Sequence, residues 1–224
     1  MKKITIAILV ILGTMSMASA ELGISVGLTG TTGVFHATGV DEEGVAGDVE
    51  THTEDATGVV GYGSVFLEKN LGRFIVGYSW VLDDLASETN ETVVQDTQNA
   101  DLQANANDNP LTNKVKVTFS DMQSLYAALM VTENMYVKYS MNSVDLITGE
   151  SLGTGSTYAN ASIDGTSYGA GYKKSFDSGL FFGFEGMLLE WDNTSLTAQN
   201  NTDNKITMKD FEGFTASFAV GKTF

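Results

Sequence analysis

In several segments, large apolar residues alternate with small residues. A few ionisable side chains occupy positions where a small residue would be expected. In MYVKYSMN, Tyr136 and Lys138 share the face opposite the large apolar residues, and in LFFGFEGML Glu185 stands opposite the phenylalanines. A charge on such a face needs a partner of opposite sign if the face is buried. We therefore predict that Lys138 and Glu185 belong to one internal polar network, together with Tyr136 and Arg73.

The other candidates for chemistry are two histidines, His36 and His52, in a chain with no cysteine. Segment 51–55, THTED, places His52 beside threonines and carboxylates. No serine or aspartate catalytic motif accompanies it, and no His/Cys spacing typical of a metal centre occurs. We predict that the protein is not an enzyme, has no catalytic residue and uses no cofactor.

Acidic residues dominate two segments, 41–55 and 83–113, and neither segment contains a Lys or an Arg. Carboxylate oxygens suit Ca²⁺ and Mg²⁺, but their spacing here is not that of an EF-hand, so a solvated face is favoured over a metal site. The formal net charge of -16 argues against nucleic-acid binding. The carboxylates that could bind a divalent cation weakly are Asp41, Glu42, Glu43, Asp48 and Glu50.

The N-terminal segment has the pattern of a secretory signal. MKK is basic, ITIAILVILG is an apolar run too short to span a bilayer, and Ala18 and Ala20 form a small-x-small cleavage site. We predict a cleaved signal peptide over residues 1–20 and a single β-barrel domain over residues 21–224. Export of this kind is typical of a Gram-negative bacterium's periplasmic, secreted or outer-membrane proteins.

The mature chain alternates large and small residues with period 2, which predicts β-strands. Asp121 and Gln123 interrupt the apolar face of the fourth candidate, so a bulge or a shorter strand is expected there. The eight candidate strands lie near 22–37, 57–68, 73–82, 114–131, 135–146, 159–174, 180–191 and 206–224.

Short and long connections alternate between these strands, and no helix-period segment intervenes. The strands must then pair antiparallel. The long connections are acidic, whereas the short ones carry basic residues. This order predicts an all-β, eight-stranded antiparallel up-and-down barrel, and short turns at one rim with long loops at the other are typical of transmembrane barrels. The basic residues near the short turns and the chain end are Lys69, Arg73, Lys173, Lys174 and Lys222.

The residues opposite the large apolar side chains are mostly Gly, Ser and Thr, with few charges. Such a face is a poor solvated surface, so we predict that the large residues face lipid and the small ones face the lumen. On the second strand this assigns Tyr62 and Phe66 to lipid. The alternative is a secreted soluble barrel with the opposite sense, which binds a small apolar ligand. Aromatic residues near strand ends would form interfacial girdles: Phe66, Phe74, Trp80, Phe182, Trp191, Phe218 and Phe224.

The cleaved signal, the eight amphipathic strands and the terminal FAVGKTF resemble the small outer-membrane β-barrel proteins of the OmpA transmembrane-domain type. The resemblance covers the whole mature chain. In that family the last strand ends in an aromatic residue preceded by apolar residues at alternate positions, which the barrel-assembly machinery reads. The matching positions are Phe214, Phe218, Val220 and Phe224, whereas Lys222 departs from the pattern.

These observations predict a monomer in the outer membrane, surrounded by its lipid, with a structural or surface-interaction role through its long acidic loops. A small porin-like diffusion channel is the alternative. It would need ten or more strands, and segment 83–113 is long enough to hold another hairpin. Because an eight-stranded barrel is only wide enough for its own side chains, the internal network is expected to be a rigid plug rather than a gated conduction path.

Overall fold

The computed structural model describes residues 23–45, 48–86, 90–94, 111–151, 156–200 and 202–224. The predicted signal peptide, with Ala18 and Ala20, lies outside them. Among the described residues, no helix is long and apolar enough to cross a membrane. The strands are β1 (Ile24–Val45), β2 (Asp48–Leu71), β3 (Phe74–Val81), β4 (Leu85–Ala86), β5 (Asn90–Val94), β6 (Leu111–Met130), β7 (Met135–Ser151), β8 (Ala161–Ser175), β9 (Leu180–Trp191), β10 (Thr194–Thr197) and β11 (Lys205–Thr223).

Eight of these strands close into a ring in the order β1-β2-β3-β6-β7-β8-β9-β11, and β11 returns to pair with β1. Every pairing is antiparallel, and the closing pair runs from Ser25↔Thr223 to Glu42↔Lys205. Closure leaves neither the first nor the last strand with an open edge in this part of the sheet. The structure confirms the predicted all-β, antiparallel, up-and-down ring of eight strands.

The strands extend far into the segments expected to be loops. β1 and β2 form one hairpin up to Val45↔Asp48, so segment 38–56 is largely strand rather than loop. In the described part of 83–113, β4 and β5 both pair with β6 and add no strand to the ring. We call the end of the barrel with these extensions the loop end, and the opposite end, with the short connections, the turn end.

A bulge interrupts β6 at the position where the sequence predicts a bulge or a shorter strand. The register with β7 shifts between Ser120 and Gln123, and Asp121 adopts a left-handed backbone with φ 51°. A second bulge, which the sequence pattern did not indicate, shifts the β1–β11 register between His36 and Thr38. It coincides with Asp210 at φ 53°. Asp tolerates this region better than most residues, which explains why both bulges use it.

The outer wall carries a broad band of exposed apolar side chains, as predicted from the alternation. This band covers β3, β7, β8 and β9, the turn-end half of β6 and the turn-end half of β11. Its members include Phe74, Val76, Tyr78, Trp80, Leu125, Leu129, Met135, Val137, Tyr139, Met141, Tyr168, Tyr172, Leu180, Phe184, Leu188, Phe214, Phe218 and Val220.

Four aromatic side chains lie in an environment other than the one that the sequence pattern predicts. Tyr62 and Phe66 line the interior cavity, because β2 presents its even-numbered residues inward at this height. Trp191 packs in a buried apolar cluster inside the barrel. Phe224 is only 3% exposed and lines the mouth at the turn end. None of the last three contributes to a lipid-facing girdle.

The barrel interior has an apolar half and a polar half. Toward the loop end, Met122, Val144, Leu146, Ile163 and Trp191 form a buried cluster. Toward the turn end, hydroxyls, amides and charges face the lumen beside Phe66, Ile75 and Phe181. The polar half is where the predicted network residues lie.

Candidate functional site in the barrel interior

Six side chains from five strands converge in the turn-end half of the lumen. Each lies at an inward position of its strand, because residues two apart share a face. The strands themselves are fixed by the closed ladder of the ring. The converging side chains are Glu68 on β2, Tyr126 on β6, Tyr136 and Lys138 on β7, Lys173 on β8 and Glu185 on β9.

Glu185 accepts hydrogen bonds from two residues of β7. Lys138 Nζ donates to Oε1 at 3.0 Å, and the Tyr136 hydroxyl donates to Oε2 at 2.9 Å. The Lys138 and Glu185 side chains are 17% and 15% exposed, so the pair is largely removed from water. The structure thus brings together three of the four residues that the sequence analysis grouped in one network.

Glu68 forms a second group of the same kind. Lys173 Nζ donates to Oε2 at 2.7 Å, and the Tyr126 hydroxyl donates to Oε1 at 3.1 Å. β2 and β8 lie on opposite sides of the ring of eight, so the Lys173–Glu68 pair crosses the full width of the lumen. The sequence pattern does not indicate this group, because the alternation in β2 favours the opposite face and Lys173 lies close to a short turn.

The two groups are joined through aromatic rings. Lys138 Nζ lies 4.0 Å from the centroid of the Tyr126 ring, so a lysine of one group contacts a tyrosine of the other. Lys173 Nζ lies 4.0 Å from the centroid of Phe181. Cation–π contacts of this kind add to an ion pair when water is excluded. Two carboxylates and two ammonium groups therefore form one neutral, interlocked layer.

Glycines on neighbouring strands make room for the tyrosine rings. Gly77 lies opposite Tyr126 in the β3–β6 register, and Gly171 lies opposite Tyr136 in the β7–β8 register. A Cβ at either glycine would overlap the facing tyrosine ring. The small residues of the inner face therefore hold the rings of the network flat against the wall.

The charged layer adjoins two spaces. One is a cavity of about 110 Å³, which is lined by all six converging side chains and also by Tyr62 and Asn142. Toward the turn end lies an open mouth of about 940 Å³. Lys173 lines both, so the ion pair that it makes with Glu68 lies on the boundary between them.

Arg73 does not belong to this network, which corrects its predicted placement. It is exposed at the turn end, where Nη2 donates to the carbonyl oxygens of Met130 at 2.8 Å and Val131 at 3.2 Å. The cation binds the end of β6 and the turn that follows it. Its position just before β3 begins places it too close to the rim to reach the lumen charges.

The acidic residues proposed as weak cation ligands are only partly described. Lys205 Nζ lies 3.9 Å from Glu42 Oε2, and partial burial raises the pKa of the Asp41 carboxyl, an effect that the nearby His52 partly offsets. The side chains of Glu43, Asp48 and Glu50 lie outside the described residues. Within the described part of the chain, no three His, Cys, Asp or Glu side chains are grouped as metal ligands would be. Weak divalent-cation binding stays a prediction.

The histidines lie on the β1–β2 hairpin near the loop end. His36 Nδ1 is 3.2 Å from the Thr57 hydroxyl, and His52 lies opposite Asp41 in the strand register. The neighbouring Thr38 hydroxyl donates to Asp55 at 2.7 Å. These contacts hold the two strands of the hairpin together.

The terminal strand places Phe214, Phe218 and Val220 on the outer wall, each about half exposed. Phe224 is buried instead and exchanges backbone hydrogen bonds with Ile24, at 3.2 and 2.7 Å. Lys222, the exception in the apolar pattern, places its Nζ 4.9 Å from the Phe224 ring centroid. The last residue is thus held against the first strand.

No protein-family model and no curated protein matches the chain. Among solved structures, Neisserial surface protein A matches with a TM-score of 0.36 and 10% identity, over 88% of this chain and 97% of that chain. The outer membrane protease OmpT from Escherichia coli matches with 0.40 and 8%, over 94% and 100%. Ail, the attachment invasion locus protein of Yersinia pestis, matches with 0.30 and 9%, over 85% and 98%. The basis for the ring of eight strands is the strand register of this chain, since matches this distant add nothing to it.

Proposed function

We propose that this chain is a monomeric integral outer-membrane β-barrel with a structural or surface-interaction role, and not an enzyme. The observation that supports the proposal is the contrast between the apolar outer face of the barrel wall and its polar inner face. Phe74, Met135 and Phe184 are 58%, 54% and 54% exposed on the outside, whereas the charged pairs lie inside. A continuous exposed apolar band marks a contact surface, and an apolar outside with a polar inside is the arrangement of transmembrane barrels.

Extraction tests the membrane assignment. We expect the mature protein to stay with the membrane fraction until detergent is added, and the unboiled protein to migrate faster on a gel than the boiled protein. Recovery in the aqueous fraction without detergent, as a folded β protein, would overturn the assignment and favour the soluble ligand-binding barrel.

The charged layer supports a closed barrel rather than a pore. Lys173 and Glu68 bridge the lumen, and the second group, around Glu185, is interlocked with them. We expect the wild type to give no conductance steps in planar bilayers, and the Lys138→Ala/Glu185→Ala double variant to stay closed because the bridge remains. Steps from the wild type that change in the double variant would instead favour a gated channel.

The surface role is assigned to the loop end, where charge could select partners. Exposed carboxylates there include Glu54, Asp83 and Asp203. We expect protein in nanodiscs to bind short poly-L-lysine more weakly as salt rises, and a Glu54→Gln/Asp203→Asn variant to bind it less. Equal binding of poly-L-glutamate would contradict an acidic recognition surface.

We also propose that Phe214, Phe218, Val220 and Phe224 act as the signal for the barrel-assembly machinery. Since Phe224 is buried in the closed barrel, the signal would have to be read before closure. We expect Phe224→Ala to slow assembly in cells, measured as loss of the heat-modifiable form. Phe176→Ala, which removes an exposed turn-end ring, is the matched control. Equal assembly of the two variants would contradict the proposal.

A further inference from the structure

β2 continues toward the loop end well beyond the strand that pairs with it on one side. β3 accompanies it only as far as Ser64, and the hydrogen bond from Leu82 N to Gly63 O, 2.9 Å, closes that ladder. The chain then leaves β2, since β4 and β5 pair with β6. Within the described part of the chain, β2 is therefore paired on the β1 side alone between Thr51 and Gly61.

The backbone groups on the open side of β2 belong to its odd-numbered residues. Successive residues of a strand direct their N–H and C=O groups to opposite sides. Asn70 N donates to Gly23 O at 2.7 Å on the β1 side, whereas Gly63 O accepts on the β3 side. The β1–β2 register runs without a shift to the end of the hairpin. The amides and carbonyls of the odd residues from Thr51 to Gly61 thus point away from β1, and we call this row the β2 edge.

The β2 edge lacks the features that usually protect an exposed strand edge. Lysine, proline and bulges are common protective features. Segment 48–67 contains no Lys, Arg or Pro, and the two bulges described above lie in β6 and between β1 and β11. All residues from Thr51 to Val59 are exposed. The backbone groups of this edge are therefore accessible to a partner strand.

Val59 lies on the β2 edge with its side chain on the outer wall. It is 78% exposed, the largest value among the large apolar side chains of the described residues. Val34 lies opposite it on β1 and Phe214 lies opposite Val34 on β11, and both are also exposed. An apolar row on the outer wall thus stops at the β2 edge. A strand added here would continue the row and cover Val59.

The charges around the β2 edge determine which strand fits. Glu54 and Asp55 on β2 and Asp83, where the chain leaves the barrel wall, are exposed carboxylates. Neither β1 nor β2 up to residue 67 contains a Lys or an Arg. A second copy that paired edge to edge would place acidic residues against acidic residues, which is destabilising. A strand with basic side chains is attracted instead.

We propose that the β2 edge binds an extended basic segment of another protein as an added β-strand. The segment pairs with the odd-numbered residues between Thr51 and Gly61. Its basic side chains lie beside Glu54 and its apolar side chains cover Val59. Because Glu54 and Val59 lie on opposite faces of β2, the fitting segment alternates basic with apolar residues.

This inference rests on the surface role proposed above and specifies how the partner is bound. In strand addition, main-chain hydrogen bonds supply the affinity, and the side chains at alternate positions supply the selection. The acidic surface then attracts many basic partners, whereas the β2 edge retains those that can extend.

Amide hydrogen exchange tests the pairing residue by residue. ¹⁵N-labelled protein in nanodiscs is mixed with a short peptide of alternating lysine and valine, or with the matched peptide of alternating glutamate and valine. We expect the lysine peptide to slow exchange of the odd-numbered amides from Thr51 to Gly61. The even-numbered amides, which are bonded to β1, should change little. The glutamate peptide should protect neither set.

Two variants of unchanged charge complete the test. Thr53→Pro/Thr57→Pro removes two donors from the β2 edge, a kind of position where proline is tolerated. Thr53→Ala/Thr57→Ala removes the same hydroxyl groups and keeps both donors. We expect the proline variant to bind the lysine peptide about tenfold more weakly than the alanine variant, as for the loss of one or two hydrogen bonds.

Three results would overturn the proposal: equal protection of odd and even amides by the lysine peptide, equal affinity of the two variants, or protection of the odd amides before any peptide is added. The last would mean that this chain or a second copy already pairs with the edge. If poly-L-lysine binds but the odd amides stay unprotected, strand addition alone fails. If neither poly-L-lysine nor the lysine peptide binds, the acidic surface role fails with it. If the proline variant lacks the heat-modifiable form, the amide pattern of the wild type decides alone.

Discussion

The charged side chains in the lumen stabilise the barrel only when each is paired with a side chain of opposite charge. Lys138 and Glu185 are 3.0 Å apart and largely shielded from water, so removing one leaves the other buried without its counter-charge. The same reasoning applies to Lys173 and Glu68. An exposed pair behaves differently because water solvates each member when the other is lost.

Glu185→Gln should therefore lower the free energy of unfolding by about 3 kcal/mol, as for other broken buried pairs. Urea unfolding in lipid vesicles, followed by tryptophan fluorescence, measures it. Glu42→Gln is the matched control, because Lys205 and Glu42 are 3.9 Å apart and 43% and 39% exposed, and it should cost less than about 1 kcal/mol. Equal losses in both variants would show that the lumen pair is not shielded.

Because Asp41 is partly buried, we expect the stability of the hairpin at the loop end to depend on pH. Burial raises the pKa of its carboxyl in the folded state, so the protonated form favours the folded hairpin. This stabilisation is complete below the pKa of an unfolded aspartate and is lost as the pH rises through the higher folded pKa. A carboxyl NMR titration should give an apparent pKa above that of a free aspartate, and Asp41→Asn should abolish the dependence. A titration at or below the free value would contradict this.

At the level of elements, the first and last strands of the ring, β1 and β11, pair with glycines directly opposite each other. Gly27 on β1 lies opposite Gly221 on β11, and the rings of Phe66 and Phe181 lie over them, with centroids 6.1 Å apart. A Cβ at Gly221 would be 2.6 Å from the Val26 carbonyl oxygen, which is backbone and cannot rotate away. The close approach of the first and last strands thus depends on the missing side chains.

Gly221→Ala should lower the free energy of unfolding by about 1–3 kcal/mol, the usual cost of overpacking, and should slow refolding into vesicles. Gly30→Ala is the control on the same pair of strands, because nothing lies within 4 Å of its Cβ position, and it should change stability by less than about 0.5 kcal/mol. Heat-modifiable gel mobility over a urea series measures both. A Gly221→Ala barrel as stable as Gly30→Ala would show that the closing strands can separate without cost.

For the whole molecule, the ends of the barrel differ in charge and in strand length. The loop end carries the extended hairpins and exposed carboxylates, and the turn end carries short connections. In transmembrane barrels the long loops face outward and the short turns face the periplasm. The proposed membrane location therefore fixes an orientation as well.

Single cysteines test this orientation, since the chain has none of its own. Glu54→Cys on the hairpin and Glu133→Cys in the β6–β7 turn replace the same residue type at two exposed positions. In intact cells a membrane-impermeant maleimide should label Glu54→Cys, and it should label Glu133→Cys only after the outer membrane is permeabilised. The reverse pattern would invert the proposed orientation.

The sequence by itself determined the strand count, the antiparallel order, the β6 bulge and the outward band, because period-2 alternation and short turns are local signals. It also identified Lys138, Tyr136 and Glu185, which stand out on small-residue faces. Tertiary structure decided the inward face of β2, the Lys173–Glu68 bridge and the burial of Trp191 and Phe224. These depend on which residues meet across the lumen, at positions as far apart as 68 and 173. Strand tilt and register set such meetings, and no short stretch of sequence encodes them.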